Sequence, residues 1–291
     1  MKPLVYIILV NYNGAKDTIE CVKSLEQITY NNYRVLIIDN NSTDDSVKIL
    51  KKNINSKHII IESKENNGFS AGNNIGIKIA LEDKADYVLL LNNDTVVDKR
   101  FLEPLIESFN SNVGITIGKI YYTKEKNKIW YDGGNINFKT AKIRHFNYDK
   151  YDTKMYADEM EITFATGCCM LISSEVIKKV GMLSEDYFLY YEDTDYCCKV
   201  IKNNYKIIYN PNSIIYHSVS SSTNKISNLL QYYMIRNKLI FIKKNISNRN
   251  KLIALLYFFI ELIYKIINQN INIKIAFRAI NDYRNNRFGK V

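Results

Sequence analysis

Four apolar runs recur in the first hundred positions: Leu4–Val10, Val35–Ile38, Ile59–Ile61 and Tyr87–Leu91. Each is short and apolar at consecutive positions, the pattern of a strand covered on both faces. Between them, Ala15–Leu25, Asp44–Leu50 and Ala71–Leu81 place apolar residues at helical spacing. The alternation predicts βαβ units and an α/β fold with a mostly parallel sheet, its crossovers near the usual length of about 30 residues. From about Gly118 to Met160 the texture shifts to Tyr, Lys, Asn and Asp around Trp130 and Gly133-Gly134, which predicts strands and loops over a binding face. Thr166–Ile208 returns to regular structure. A polar linker, Ser218–Asn224, then leads into two apolar helices, Leu229–Ile242 and Leu252–Ile267. The second contains Glu261 and Lys265 and falls short of the roughly 20 apolar residues a membrane-spanning helix needs. It is expected to lie in a membrane interface, to pack on the body, or to form a homodimer.

Composition narrows this picture. A chain of 291 residues holds one large domain with an appendage, or two small ones. With 46% hydrophobic residues, 3 Pro and 11 Gly, a sizeable core is available and collagen-like or disordered classes are excluded. Met1 leads almost directly into the first apolar run, with no basic-plus-apolar leader, so the expected compartment is the cytosol. The five cysteines, Cys21, Cys168-Cys169 and Cys197-Cys198, show neither a disulfide framework nor C-x-x-C spacing, and read as small core hydrophobes. Net charge is +10 but uneven. From Lys225 to Val291 thirteen Lys and Arg face two acids, Glu261 and Asp282, a net of +11, which leaves about −1 on the other residues. A basic appendage on a neutral body points to an anionic membrane surface as partner. Nucleic acid fits worst, because the charge sits with apolar helices and not with an exposed aromatic platform.

Candidate chemistry collects where the strands end. The first ends at Val10-Asn11-Tyr12-Asn13-Gly14, the second at Ile38-Asp39-Asn40-Asn41-Ser42, the fourth at Asn92-Asn93-Asp94. In a parallel sheet these ends share one edge, so Asn11, Tyr12, Asp39 and Asp94 should converge. Asp94 there can hold a divalent cation, and the cation a diphosphate. Asp39 can accept the imide N–H of a uracil or thymine, and Tyr12 offers a face for the base. Helix capping competes for Asp39, but Ser42 and Asp44 are also placed to cap, which leaves Asp39 for a ligand. The glycines of Asn67-Gly68-Phe69-Ser70-Ala71-Gly72-Asn73-Asn74-Ile75-Gly76 fall every four residues, neither as G-x-G-x-x-G nor before G-K-[ST]. Gly72 and Gly76 would let a helix press on the sheet, while Gly68 suits close approach to a ligand. A second acidic centre, Glu192-Asp193-Thr194-Asp195, opens a helix whose buried stripe is Tyr196, Cys197, Val200 and Ile201. Asp193 lies on the inward face and is the better catalytic candidate, Asp195 reads as a solvated ion pair with Lys199, and Glu192 suits the helix dipole.

Taken together, these stretches resemble the family 2 inverting glycosyltransferases with the GT-A fold, in particular the rhamnosyltransferase-like branch. The resemblance also rests on Gly167-Cys168-Cys169-Met170-Leu171-Ile172 and Tyr190-Tyr191-Glu192-Asp193-Thr194-Asp195-Tyr196-Cys197, and spans residues 4 to about 222. It implies a Rossmann-like, mostly parallel sheet flanked by helices over 1–222, with a donor half to about 117 and an acceptor half from about 118. Residues 223–291 would form a helical C-terminal appendage. It implies a nucleotide-sugar donor, dTDP-rhamnose or a UDP-hexose, held through Val10, Asn11, Tyr12, Asp39, Gly68, Asn73 and Asn93. It implies Mg²⁺ or Mn²⁺ at Asp94 with His217, Asn92 taking the first acidic position of a D-x-D-like motif. Asp193 would be the general base, with Trp130, Gly167 and Glu192 on the side of a saccharide or lipid-linked acceptor. The setting implied is cell-surface polysaccharide or glycolipid synthesis, peripheral on the inner face of the cell membrane. A nucleotidyltransferase would need a Gly-rich, Arg/Lys-bearing loop after the first strand, which Asn11–Gly14 lacks. Asn92, Ser184 and the glycine-free Ser218–Ser222 depart from the family pattern. They keep a catalytically weak nucleotide-sugar binding module as the alternative.

Overall fold

The computed structural model describes residues 2–218 and 227–291. Most of the expected linker Ser218–Asn224, and with it the expected domain boundary, lies outside the described residues. The first half alternates as its apolar runs require: β1 (Val5–Asn11), α1 (Ala15–Leu25), β2 (Tyr33–Asp39), α2 (Ser46–Asn53), β3 (Ile59–Glu62), α3 (Gly68–Glu82) and β4 (Tyr87–Asn92). Next come β5 (Thr95–Val97), α4 (Leu102–Glu107), β6 (Val113–Tyr122), β7 (Ile129–Tyr131), β8 (Gly134–Asn137) and β9 (Lys142–His145). They are followed by β10 (Met160–Ile162), β11 (Cys169–Ser173), α5 (Ser174–Val180), α6 (Glu192–Lys202) and β12 (Lys206–His217). Three helices end the chain: α7 (Asn228–Asn245), α8 (Asn248–Ile267) and α9 (Ile273–Arg284).

The main sheet runs β10-β12-β6-β11-β4-β1-β2-β3, with β5 added to β12 and β7 to β6. Strands β3, β2, β1 and β4 are parallel, and β11 runs antiparallel between β4 and β6. Strand order therefore reverses between β1 and β4, the crevice in which open α/β sheets bind ligands. Val5, Ile7, Ile8 and Leu9 of β1 and Val88, Leu89 and Leu90 of β4 are fully buried, as strands covered on both faces must be. All five cysteines are buried free thiols. Burial pushes the Cys21 thiol up to about 12, so it behaves as a small hydrophobe.

Helix α3 begins three residues earlier than its apolar pattern indicates. Asn66 Oδ1 accepts from Gly68 N and Asn40 Nδ2 donates to Gly68 O, both at 3.0 Å, so side chains fix the first turn. A Cβ on Gly72 would meet Val10 Cγ1 at 2.9 Å, and one on Gly76 would meet Ile8 Cδ1 at 2.8 Å. The two glycines let α3 sit directly on β1.

The C-terminal region holds three helices where periodicity indicated two. The third, α9, is short and polar-rich, and its start is fixed by Asn272, whose side chain accepts from Lys274 N. Asp195 corrects another expectation. It is 2% exposed, accepting from Tyr187 Oη at 3.2 Å and Asn245 Nδ2 at 2.6 Å, with Lys199 Nζ only at 3.8 Å. Helix α7, fifty residues on, covers that side of α6 and turns a surface position into a buried one.

Gly76→Val should lower the thermal midpoint and cost about 1–3 kcal/mol, the scale of overpacking a filled core. The clash is with the branched side chain of Ile8, which has no exposed space to turn into. An unchanged midpoint would show slack between α3 and β1.

Candidate functional site

Parallel pairing brings the strand ends together. Asn11 is registered with Asp39 on β2, and Val10 with Asn92 on β4. Asn11 is wholly buried; its Nδ2 donates to Asp39 Oδ2 at 2.8 Å and its Oδ1 accepts from Thr18 Oγ1 at 2.8 Å. Asn93 Nδ2 joins by donating to Thr18 Oγ1 at 2.9 Å. Tyr12, beside this network, is 48% exposed and presents its ring to solvent. Val10, one residue before, has its side chain against Gly72.

Three donor-side candidates make contacts within the fold itself. Asp39 is not left free by its neighbours: it is 1% exposed, its Oδ2 accepts from Asn11 and from Ser42 Oγ at 2.6 Å, and its Oδ1 accepts from Ser42 N at 2.9 Å. It ties β1 to the loop after β2. Gly68 does make a close backbone approach, but to Phe188. Its φ is +88° and a Cβ there would fall 2.0 Å from the Phe188 carbonyl oxygen. Asn73 is 1% exposed and donates to Phe69 O of its own helix at 2.9 Å.

Asp94 sits in the turn between β4 and β5, and sheet pairing brings His217 to it. Strand β5 pairs antiparallel with β12, matching His217 to Thr95, and Ser218 N donates to Asp94 O at 2.8 Å. His217 Nε2 then lies 3.0 Å from Asp94 Oδ1, with Nδ1 buried and unpartnered. Among the described residues no group of three His, Cys, Asp or Glu could hold a metal. A carboxylate with one imidazole nonetheless fits Mg²⁺ or Mn²⁺, which take remaining ligands from phosphates and water. Asp17, on the first turn of α1, was not expected here. Burial and then the charge of Asp94 raise its carboxyl above the ordinary value.

Residues Gly167 and Cys168 join this edge to the second acidic centre. Cys168 O accepts from Asn92 N at 2.9 Å, while Gly167 N donates to Asp193 Oδ2 at 3.0 Å. Asp193 Oδ1 accepts from Thr194 N at 2.6 Å and Thr194 Oγ1 at 3.1 Å. Burial raises the Asp193 carboxyl above the ordinary aspartate range, against the pull of those N–H groups and His145. Glu192, expected on the acceptor side, is buried beside it. It is 6% exposed with Oε2 unpartnered, and burial beside Asp193 pushes its carboxyl well above the usual range.

Asp193 opens into a cavity of about 1420 Å³, bounded by Trp130 and by β9 on one side and by α7 and α8 on the other. Trp130 meets the His217 ring edge-on at 4.5 Å, so the cavity abuts the Asp94 edge. His145 also lines it, inside an aromatic group of Trp130, Tyr131, Tyr148 and Phe164. On the far wall Glu261 lies 2.7 Å from both Lys238 and Lys265. Burial alone would raise its carboxyl, but the two ammonium groups bring it down to about 2. Sequence reasoning missed His145 and this triplet: a lone histidine carries no spacing signal, and the pairing crosses two helices. Lys142 and Arg144 also line the cavity and form no ion pair among the described residues.

The backbone leading into α6 is strained. Tyr190 and Tyr191 have φ of 70° and 75°, in the left-handed region. Asn237 of α7, wholly buried, donates through Nδ2 to Leu189 O at 2.8 Å and Tyr190 O at 2.9 Å.

Comparison with known proteins agrees with this geometry. A family model described as glycosyl transferase family 2 matches residues 6–181. The dTDP-rhamnosyl transferase RfbF of Shigella flexneri is 24% identical over 255 residues, covering 84% of this chain and 82% of that protein. The low-salt glycan biosynthesis hexosyltransferase Agl10 of Haloferax volcanii is 26% identical over 206 residues, covering 69% of this chain and 62% of that protein. Among solved structures, the mannosyltransferase PcManGT from Pyrobaculum calidifontis, in complex with GDP-Man and Mn²⁺, superposes with a TM-score of 0.60 at 14% identity. The match covers 84% of this chain and 64% of that one, and at such identity it speaks for the GT-A fold alone.

Asn237→Ala should cost about 1–3 kcal/mol in chemical denaturation, the penalty for leaving buried carbonyls unpaired. A loss below about 0.5 kcal/mol, within surface-substitution scatter, would show that other contacts hold the two tyrosines.

Proposed function

Because this chain belongs to glycosyl transferase family 2, we propose that it moves a sugar from a nucleotide diphosphate onto an acceptor hydroxyl with inversion at the anomeric carbon. The observation that carries the reading is the link through Gly167 and Cys168. It sets the Asp193 carboxylate, at the floor of a large cavity, beside the Asp94–His217 edge.

Asp193 acts as general base. Its oxygens are oriented by Gly167 and Thr194, and its raised pKa strengthens it as a proton acceptor. As the acceptor hydroxyl attacks the anomeric carbon, its proton passes to Asp193. The bond from that carbon to the diphosphate oxygen breaks on the opposite face. Attack from one face and departure from the other give inversion, and no enzyme nucleophile is needed. Asp94 and His217 would hold Mg²⁺ or Mn²⁺, which when bound would offset the charge developing on the leaving diphosphate.

The exposed ring of Tyr12 receives the base, with Asn11, Asp39 and Asn93 shaping the strand edge beneath it. The names of the two relatives, a dTDP-rhamnosyl transferase and a hexosyltransferase, support dTDP-rhamnose and a nucleotide-linked hexose as the donors to test first. On the acceptor side, Lys142, Arg144, Lys238 and Lys265 outnumber Asp193 and Glu261 around the cavity, and its walls include Phe164, Met234 and Phe258. An apolar, cationic room favours a saccharide carried on a lipid phosphate, assembled at the inner face of the cell membrane.

Asp193→Asn should reduce turnover by about 10²–10⁴-fold while donor affinity stays within about twofold, as loss of a general base requires. In the unsubstituted protein the rate should rise with pH through an acid limb lying above the ordinary aspartate value of about 3.9, since only the ionised carboxylate accepts a proton. A rate independent of Asp193 would remove the base from this scheme.

Calorimetric titration with UDP and dTDP, with and without Mn²⁺, should show metal-dependent binding that Asp94→Ala weakens by about tenfold or more. If neither nucleotide binds at millimolar concentration, the donor site is misassigned and the transferase reading loses its support.

A further inference from the structure

Helix α8 presents two opposite faces. Ala254, Phe258 and Leu262 are buried against the body, and Glu261 and Lys265 lie on the same side, lining the cavity. On the other side stand Leu252, Leu256, Ile260, Ile263 and Ile267, the last 73% exposed and none below 56%. At 100° per residue these five fall within about 80° of the helix circumference, a continuous apolar stripe where a solvated helix would be polar. Phe277 of α9, 69% exposed, adds to the same kind of surface. Scattered apolar residues need no partner, but a stripe of this length marks an interaction surface.

Charge identifies what covers it. The two acids of the described C-terminal region face inward: Glu261 is held between Lys238 and Lys265, and Asp282 is 3% exposed and bonded to Tyr232 Oη at 2.8 Å. Exposed Arg249 precedes the stripe, and exposed Lys274 and Arg278 follow it on α9. The exposed charges that flank the stripe along the chain are therefore positive. A second copy docked by this face would bring like charges together, whereas anionic headgroups would neutralise them. Spanning is excluded for this helix on two counts. No helix among the described residues is long and apolar enough to cross a membrane. A crossing pose would also bury the Glu261 ion triplet in hydrocarbon.

We propose that the outward stripe of α8 seats the protein on an anionic lipid bilayer, the helix lying in the plane of the interface. Apolar burial gives depth, and the flanking cations give preference for acidic lipid. The inference is independent of sugar transfer, since binding to vesicles is read without turnover.

The test is flotation of the full chain with phosphatidylcholine vesicles, and with vesicles also containing phosphatidylglycerol. The chain should float with the anionic vesicles, less so at about 0.5 M salt than at about 0.15 M, where screening is weaker. Leu256→Glu with Ile260→Glu should cut recovery about tenfold or more, because both side chains are lost from the buried stripe. Arg249→Glu with Lys274→Glu should abolish the preference for phosphatidylglycerol. All four positions are exposed, and unchanged thermal unfolding would certify the fold. No flotation with either vesicle would overturn the proposal, as would equal flotation with neutral vesicles. Sedimentation showing a dimer that the Glu pair dissolves would overturn it too, by making a second copy the occupant.

Discussion

Beyond the sheet, the arrangement depends on a backbone that does not hold itself. Two successive tyrosines, Tyr190 and Tyr191, occupy the left-handed region just before α6. Each such residue costs about 1–2 kcal/mol relative to ordinary backbone. The cost is met from two directions. Asn237 of α7 binds the carbonyls of Leu189 and Tyr190, and Phe69 N on α3 donates to Phe188 O at 3.0 Å. Ring contacts add to the grip: Phe188 stacks on Tyr233 at 5.0 Å and Tyr191 meets Phe241 at 5.7 Å. The strained turn aims the first residues of α6, and with them Asp193, toward the cavity. Thus a helix from the first half of the chain and a helix from the C-terminal region together orient one carboxylate.

Burial sorts the acids of this protein into different tasks. Asp39 accepts three hydrogen bonds at the strand edge and acts as a brace. Asp195 braces α6 against Tyr187 and Asn245 in the same way. Helix α6 carries Glu192, Asp193 and Asp195 in its first turn, a concentration of acid that would repel itself if all were charged. Glu192 avoids this by burial, which favours its neutral form. Asp193 is left as the acid of that turn which lines the cavity. The helix N-terminus then favours charge on a residue that also has hydrogen-bond donors and an open side.

How far the primary structure foretells this follows from the range of the interactions. Strands β1, β2 and β4 were legible because burial on both faces leaves consecutive apolar residues, and α1 because its stripe is local. Convergence of Asn11, Asp39 and Asp94 at one edge also follows from parallel topology alone. What escaped were features decided by distant residues. Asp195 becomes buried because Asn245 reaches it, Gly68 is tight because Phe188 passes over it, and Glu192 loses solvent to packing. Ser42 is another case: local chemistry makes it a candidate helix cap, whereas its hydroxyl and amide both bind Asp39.

The C-terminal helices cannot be treated as a detachable tail. One wall of the cavity is α7 and α8, and removing them would also free the carbonyls that Asn237 holds. Helix α8 thus has two constraints on a single stretch of sequence. Its inner positions must keep Phe258, Glu261 and Leu262 on the cavity, while its outer positions stay apolar without a partner in the chain. A helix bound only by the first constraint would be polar outside. That both sides are apolar, with the ion triplet kept to the inner one, is the pattern of a helix that walls a cavity and carries an interaction surface on its back.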